Sequence, residues 1–191
     1  RQSYALAAPL AAFVWLWRHN KLRAIQLAIL VGGLGGFLFL LINTLTGGGF
    51  FYNIVTANVN EFGWDRLQYH LAGLWKNASV ILILAVIFLL AAWKYVRGWG
   101  LLAPFLIGAS LSGLTIGKIG SNVNYFLELT AALSLVGGAF IAWSQKHAWR
   151  YALVLLLLSI QMGMLMKSTM NVQVDWILAS RRGDFTALQR L

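Results

Sequence analysis

Residues 22–45 read LRAIQLAILVGGLGGFLFLLINTL, and this stretch decides the fold. Arg23 is its one charged residue. As a helix it is long enough to cross the ~30 Å hydrocarbon core of a bilayer. Five further apolar runs flank it: Tyr4–Trp17, Leu74–Trp93, Trp99–Ile116, Tyr125–Trp143 and Trp149–Met166. All of these except Tyr4–Trp17 are of spanning length. That first run has fourteen residues before Arg18, a rise of roughly 21 Å. The run lengths and the lack of alternating polarity favour helices over barrel strands. The expected fold is therefore all-α: a polytopic transmembrane helix bundle of about six helices with a short interfacial helix. Residues 1–166 form the transmembrane region and 167–191 an outward-facing polar tail.

Composition points the same way. The chain is 60% hydrophobic and 10% charged, too apolar to cover the surface of a soluble globule. It has no cysteine, which excludes disulfides and thiolate metal sites. Its net charge of +10 would suggest nucleic acid in a soluble protein, but membrane topology explains it better, and no nucleic acid partner is expected. The chain opens on Arg1 rather than Met, and its basic cluster follows the first apolar run, unlike a signal peptide. It reads as an internal part of a longer protein.

The links between runs alternate in charge. Arg18, Lys21 and Arg23 follow the first run, Lys94 and Arg97 the third, and Lys146 and Arg150 the fifth, with no acid among them. All five acids, Glu61, Asp65, Glu128, Asp175 and Asp184, fall on the other side. The positive-inside rule makes the basic links cytoplasmic, so residues 46–73, 117–124 and the tail face outward. Eight of the tryptophans lie near span ends and read as an aromatic belt. Gly32 and Gly36 form a Gly-x-x-x-Gly in the second run, for which close helix packing is the expected use.

Residues 117–138, GKIGSNVNYFLELTAALSLVGG, gather Lys118, Ser121, Asn122, Asn124, Tyr125 and Glu128 just before an apolar run. Polar groups beside a span are costly to leave unpaired. Gly117 and Gly120 break one helix, and the next begins near Asn124. Ser121, Asn122 or Asn124 can cap it, and Glu128 suits its positive end. Capping accounts for one or two of these residues, not six. A helix N-terminus beside Lys118 also suits a phosphate, and the Asn and Tyr groups suit sugar hydroxyls. Glu128 opposes a nearby anion unless it pairs with Lys118 or binds hydroxyls.

In the earlier outward segment, Trp64, Leu67 and Leu71 recur at helical spacing from Glu61 onward, as in a short amphipathic helix lying in the interface. It either shields the bundle or offers Asn58, Asn60 and Glu61 to a substrate. Asn77-Ala78-Ser79 matches a glycosylation acceptor but starts a span, too near lipid to be modified. His19, His70 and His147 lie in links or at a span edge, away from mid-membrane haem positions. No metal-ligand spacing, phosphate loop or nucleophile–base pair is visible. Ion transport lacks buried charges apart from Glu128.

The stretch GKIGSNVNYFLELTAALSLV resembles the late membrane segment of bacterial polytopic glycosyltransferases of the GT-C class, family 39-like. There a polar outward loop with a basic residue leads into a helix that begins with Tyr. FFYNIVTANVNEFGWDRL, residues 50–67, is similar to an earlier outward loop of such proteins. The resemblance implies transfer of a sugar from a polyprenyl-phosphate donor at the outer face of the cytoplasmic membrane. The donor is a substrate; no cofactor is identified, and no metal site. Lys118 becomes a phosphate contact and Asn122, Asn124, Tyr125 and Glu128 pocket residues, followed by Asn58, Asn60 and Glu61. The family's catalytic acid sits in a first outward loop that this chain lacks, so no catalytic residue carries over. The alternative is a non-catalytic subunit packed among other membrane subunits. A transporter is a third reading.

Overall fold

The computed structural model describes residues 6–96 and 98–181, excluding the side chains of Asn58 and of residues 176–181. Arg97, Asp184, the start of the first run and the end of the tail lie outside the described residues. Seven α-helices account for nearly all of the rest: α1 Ala7–His19, α2 Lys21–Leu45, α3 Gly49–Ile54, α4 Trp64–Ala91, α5 Trp99–Gly113, α6 Leu127–Ser144 and α7 Ala148–Arg181. Five segments are long and apolar enough to cross a membrane: Lys21–Leu45, Trp64–Lys94, Trp99–Gly117, Val123–Ser144 and Ala148–Asp175. The chain is an all-α bundle with the helices of a membrane protein.

α1, at 13 residues, is short of a span. It runs antiparallel along α5, and small residues bring the two together. Trp15 lies 3.6 Å from the Cβ position of Gly100, and the Cβ of Ala7 would stand 3.0 Å from one added at Gly108. Such close backbone approach is how helices gain dispersion contact where lipid offers no hydrophobic drive. α4, α5, α6 and α7 form the rest of the bundle. α6 sits at its centre, burying Leu129, Ala132, Leu133, Val136, Gly137 and Phe140 at helical spacing.

The basic links gather at one end. Trp15 and Gly100 bring the Arg18–Arg23 link beside the start of α5. The indole N–H of Trp99 donates to the Phe88 carbonyl at 2.9 Å, and the Phe88 and Phe140 rings meet edge to face. Arg150 lies over both Trp143 and Trp149, at 5.1 and 5.2 Å from the ring centroids, and Lys94 lies over Trp93. These pairs hold cations against aromatic faces. The link that carries Glu61 and the first turn of α6, which carries Glu128, lie at the opposite end of the bundle.

Two elements differ from expectation. The segment starting at Trp64 is not a separate interfacial helix; it is the first half of α4. The helix continues through residue 91 with one break, at Ala78, whose φ of −133° and ψ of 19° are non-helical. Asp65, Arg66, Gln68 and His70 make the first turns polar, so hydropathy starts the run only at Leu74 and divides what the backbone joins. Second, the glycines of α2 make no close packing among the described residues: nothing lies within 4 Å of a Cβ at Gly32, Gly33, Gly35 or Gly36. α2 stands at the edge, touching α1 and α3, with only Ala24 buried. The polar segment after Met166 begins as helix, within α7. α7 has 34 residues, about 51 Å of rise against a ~30 Å core, so it is longer than a single crossing requires.

Candidate functional site

The two polar segments around residues 60–63 and 117–119, far apart in sequence, are clasped together. Residues 62 and 118 form an isolated antiparallel bridge. The Ile119 amide donates to the Glu61 carbonyl at 2.9 Å, and the Gly63 amide donates to the Gly117 carbonyl at 2.9 Å. The side-chain amide of Asn60 donates to the Ile119 carbonyl at 3.0 Å. Asn60 is thus engaged in joining the loops. Glu61 takes part through its backbone, which leaves its side chain exposed. Asn58 ends a 3-10 turn at Thr56–Asn58, and its side chain lies outside the described ones.

The polar residues after the clasp divide by role. Gly120, at φ 80°, adopts the left-handed turn that glycine permits. Ser121 faces backward: its hydroxyl donates to the Ile116 and Lys118 carbonyls, the latter at 2.6 Å. It therefore closes the helix before the loop rather than capping the one after it. Asn122 is the N-terminal cap, accepting from the Val123 amide at 2.7 Å at the start of a 3-10 turn that runs directly into α6. Asn122 and Asn124 are exposed, while Lys118 and Tyr125 are half-buried.

Glu128 is the outlier. It lies in the first turn of α6 and is 8% exposed. Neither carboxylate oxygen has a hydrogen-bond partner among the described residues, so the pairing with Lys118 does not form. The positive end of α6 offsets part of its charge, but burial without direct partners is costly. Among the described residues no three of His, Asp and Glu converge as a metal site.

Beside the loops runs a groove of about 1020 Å³ between α4, α6 and α7. Its walls are apolar, with Leu74, Ile81, Phe126, Leu133, Leu158 and Leu165, while His70, Lys76 and Asn77 supply polar groups from α4. The wall also contains Gln161, a residue the apolar reading of the last span passed over. Gln161 is 5% exposed. Its Oε1 accepts from the Ile81 amide at 3.1 Å, and its Nε2 donates to the Asn77 carbonyl at 2.7 Å. In an unbroken helix that amide would bond that carbonyl directly. A side chain of α7 thus bonds both members of that helical pair, beside the break at Ala78.

Comparison with protein-family models, curated proteins and solved structures finds no match to this chain.

Within the groove, a lone amide in the apolar stretch LVLLLLSIQMGMLM was the available signal, because polar groups at that depth need partners. Its partners could not be read from sequence, since they are backbone atoms exposed only by the break at Ala78.

Proposed function

We propose that this chain is the membrane part of a glycosyltransferase that takes a sugar from a polyprenyl-phosphate donor at the outward face of a bacterial cytoplasmic membrane. One observation carries the reading: the apolar groove between α4, α6 and α7 lies beside the clasped polar loops. In this reading the prenyl chain lies in the groove, as apolar pockets with a few polar groups hold lipids. Lys76, at the groove, and Lys118, in the loop, meet the phosphate. Asn122, Asn124 and Tyr125 meet sugar hydroxyls. Glu128 has both oxygens shielded from water, so it reaches a hydroxyl only after the loop moves. No residue of this chain is given the role of catalytic acid.

The test is sugar transfer by the full-length protein in lipid nanodiscs, supplied with polyprenyl-phosphate sugars. Lys118→Ala is expected to lower turnover by about tenfold or more, the loss of a charge-assisted phosphate contact, while leaving the melting temperature unchanged. Unchanged turnover rejects the phosphate role. Absence of transfer from every polyprenyl-phosphate sugar tried rejects the reading.

A second reading, a non-catalytic membrane subunit, is favoured by α2. Its apolar window has 0% of residues buried, and its glycines meet nothing within 4 Å. Co-purification with membrane partners in a fixed ratio that is lost on Gly32→Ile and Gly36→Ile favours it; an unaltered solitary protein excludes it.

A further inference from the structure

A broken helix inside an apolar layer needs an explanation, because freed backbone groups find no water there. Proline is the usual cause of a sharp break, and residues 64–91 contain none. At the break at Ala78, a side chain from a neighbouring helix bonds the backbone on both sides. Gln161 bonds two backbone groups that flank the break, the Asn77 carbonyl and the Ile81 amide, at 2.7 and 3.1 Å. An apolar side chain at residue 161 could bond neither group. Ala78 is itself buried, and with Asn77, Ile81 and Gln161 it lines the groove. The same two hydrogen bonds therefore link α4 to α7 and form part of the groove's wall.

We propose that Gln161 is a positioning residue that holds α4 bent and so fixes the width of the groove for a prenyl or acyl chain. Without its amide, the Ile81 N–H and Asn77 carbonyl regain their direct bond. The half of α4 before the break then swings relative to α7. The inference deepens the lipid-donor reading, but its main measurement does not depend on that reading.

The measurement is the distance between spin labels at Gln68→Cys and Thr169→Cys, exposed positions on the first half of α4 and the far part of α7, in a chain with no native cysteine. In nanodiscs, Gln161→Leu is expected to move the distribution by more than its original width. It is also expected to slow hydrogen exchange at Ile81, whose amide regains a helical bond. Ile81→Pro tests the cause. Proline has no N–H and its ring clashes with the carbonyl four residues back, which is Asn77, so it bends α4 at the same place without Gln161. The double variant Gln161→Leu, Ile81→Pro is expected to restore the original distance. A merely structural role for Gln161 predicts no such rescue.

Decaprenyl phosphate is the lipid probe. Its binding is expected to weaken about tenfold in Gln161→Leu, as for one lost buried polar constraint, and to recover in the double variant. An unchanged distance in Gln161→Leu overturns the proposal, as does failure of both variants to fold. If the distances shift and recover while decaprenyl phosphate never binds the unsubstituted protein, the clamp stands and the lipid-donor reading falls.

Discussion

The ring of Phe62 occupies the space where a side chain at residue 117 would stand: a Cβ on Gly117 would fall 2.5 Å from the ring's Cε2. This contact packs the junction at which residues 60–63 meet 117–119. Gly117→Ala is expected to destabilise the protein by about 1–3 kcal/mol, the usual effect of overpacking. Phe62→Ala in the same chain is expected to return most of that loss. Thermal unfolding in detergent measures both. An unchanged midpoint in Gly117→Ala would mean that the half-exposed ring turns aside at no cost.

Glu128 is a buried carboxylate whose replacement has a predictable sign. Both its oxygens are buried without hydrogen-bond partners, so a neutral amide of the same shape removes the cost of keeping a charge there. Glu128→Gln is expected to raise stability by about 1–2 kcal/mol, as replacements of poorly compensated buried charges do. If the loop must open to present this carboxylate to a sugar, the same variant loses transfer activity, a trade-off common at functional sites. A lower melting point in Glu128→Gln would instead reveal a partner for the carboxylate.

Trp99 tests the other end of the bundle. Its N–H donates to the Phe88 carbonyl, and Phe88 has no exposed surface. Trp99→Phe keeps an aromatic ring but loses the hydrogen bond, at an expected cost of about 0.5–1.5 kcal/mol. The clasp is remote from this site. Hydrogen exchange at the Ile119 and Gly63 amides is therefore expected to stay unchanged while the global melting point falls.

The spans were legible in the sequence because apolar run length is a local property, and so was the failure of Tyr4–Trp17 to reach across. Joined structure was less legible. The Ile119–Glu61 and Gly63–Gly117 bonds are between backbone groups, which leave no side-chain signature, so the loops holding Asn60 and Lys118 could be singled out separately but not paired. Ser121 and Asn122 are equally good caps on paper; the bend at Gly120 decides that one faces back and the other forward. The helical start of the tail was hidden by its polarity, although Lys167 to Arg181 contains neither Gly nor Pro to end a helix. Glu128 stood out as a lone acid in the sequence, but its isolation depends on what the bundle brings around it.

Sidedness is the last prediction, and the proposed chemistry depends on it. The basic links and the clasped loops lie at opposite ends of the bundle, and positive charge is retained on the cytoplasmic side of membrane spans. A membrane-impermeant maleimide can read this directly, because the chain has no cysteine of its own. Lys146 and Asn122 are both exposed, one in the link between α6 and α7 and the other at the cap before α6. Added to intact cells, the reagent is expected to label Asn122→Cys and to leave Lys146→Cys untouched until the membrane is permeabilised. The contrast should hold regardless of sugar, acceptor or any partner subunit, since it depends only on which end of α6 faces out. Labelling of Lys146→Cys alone would put Lys118, the groove's polar groups and the clasp inside the cell, where a donor presented at the outer surface could not reach them.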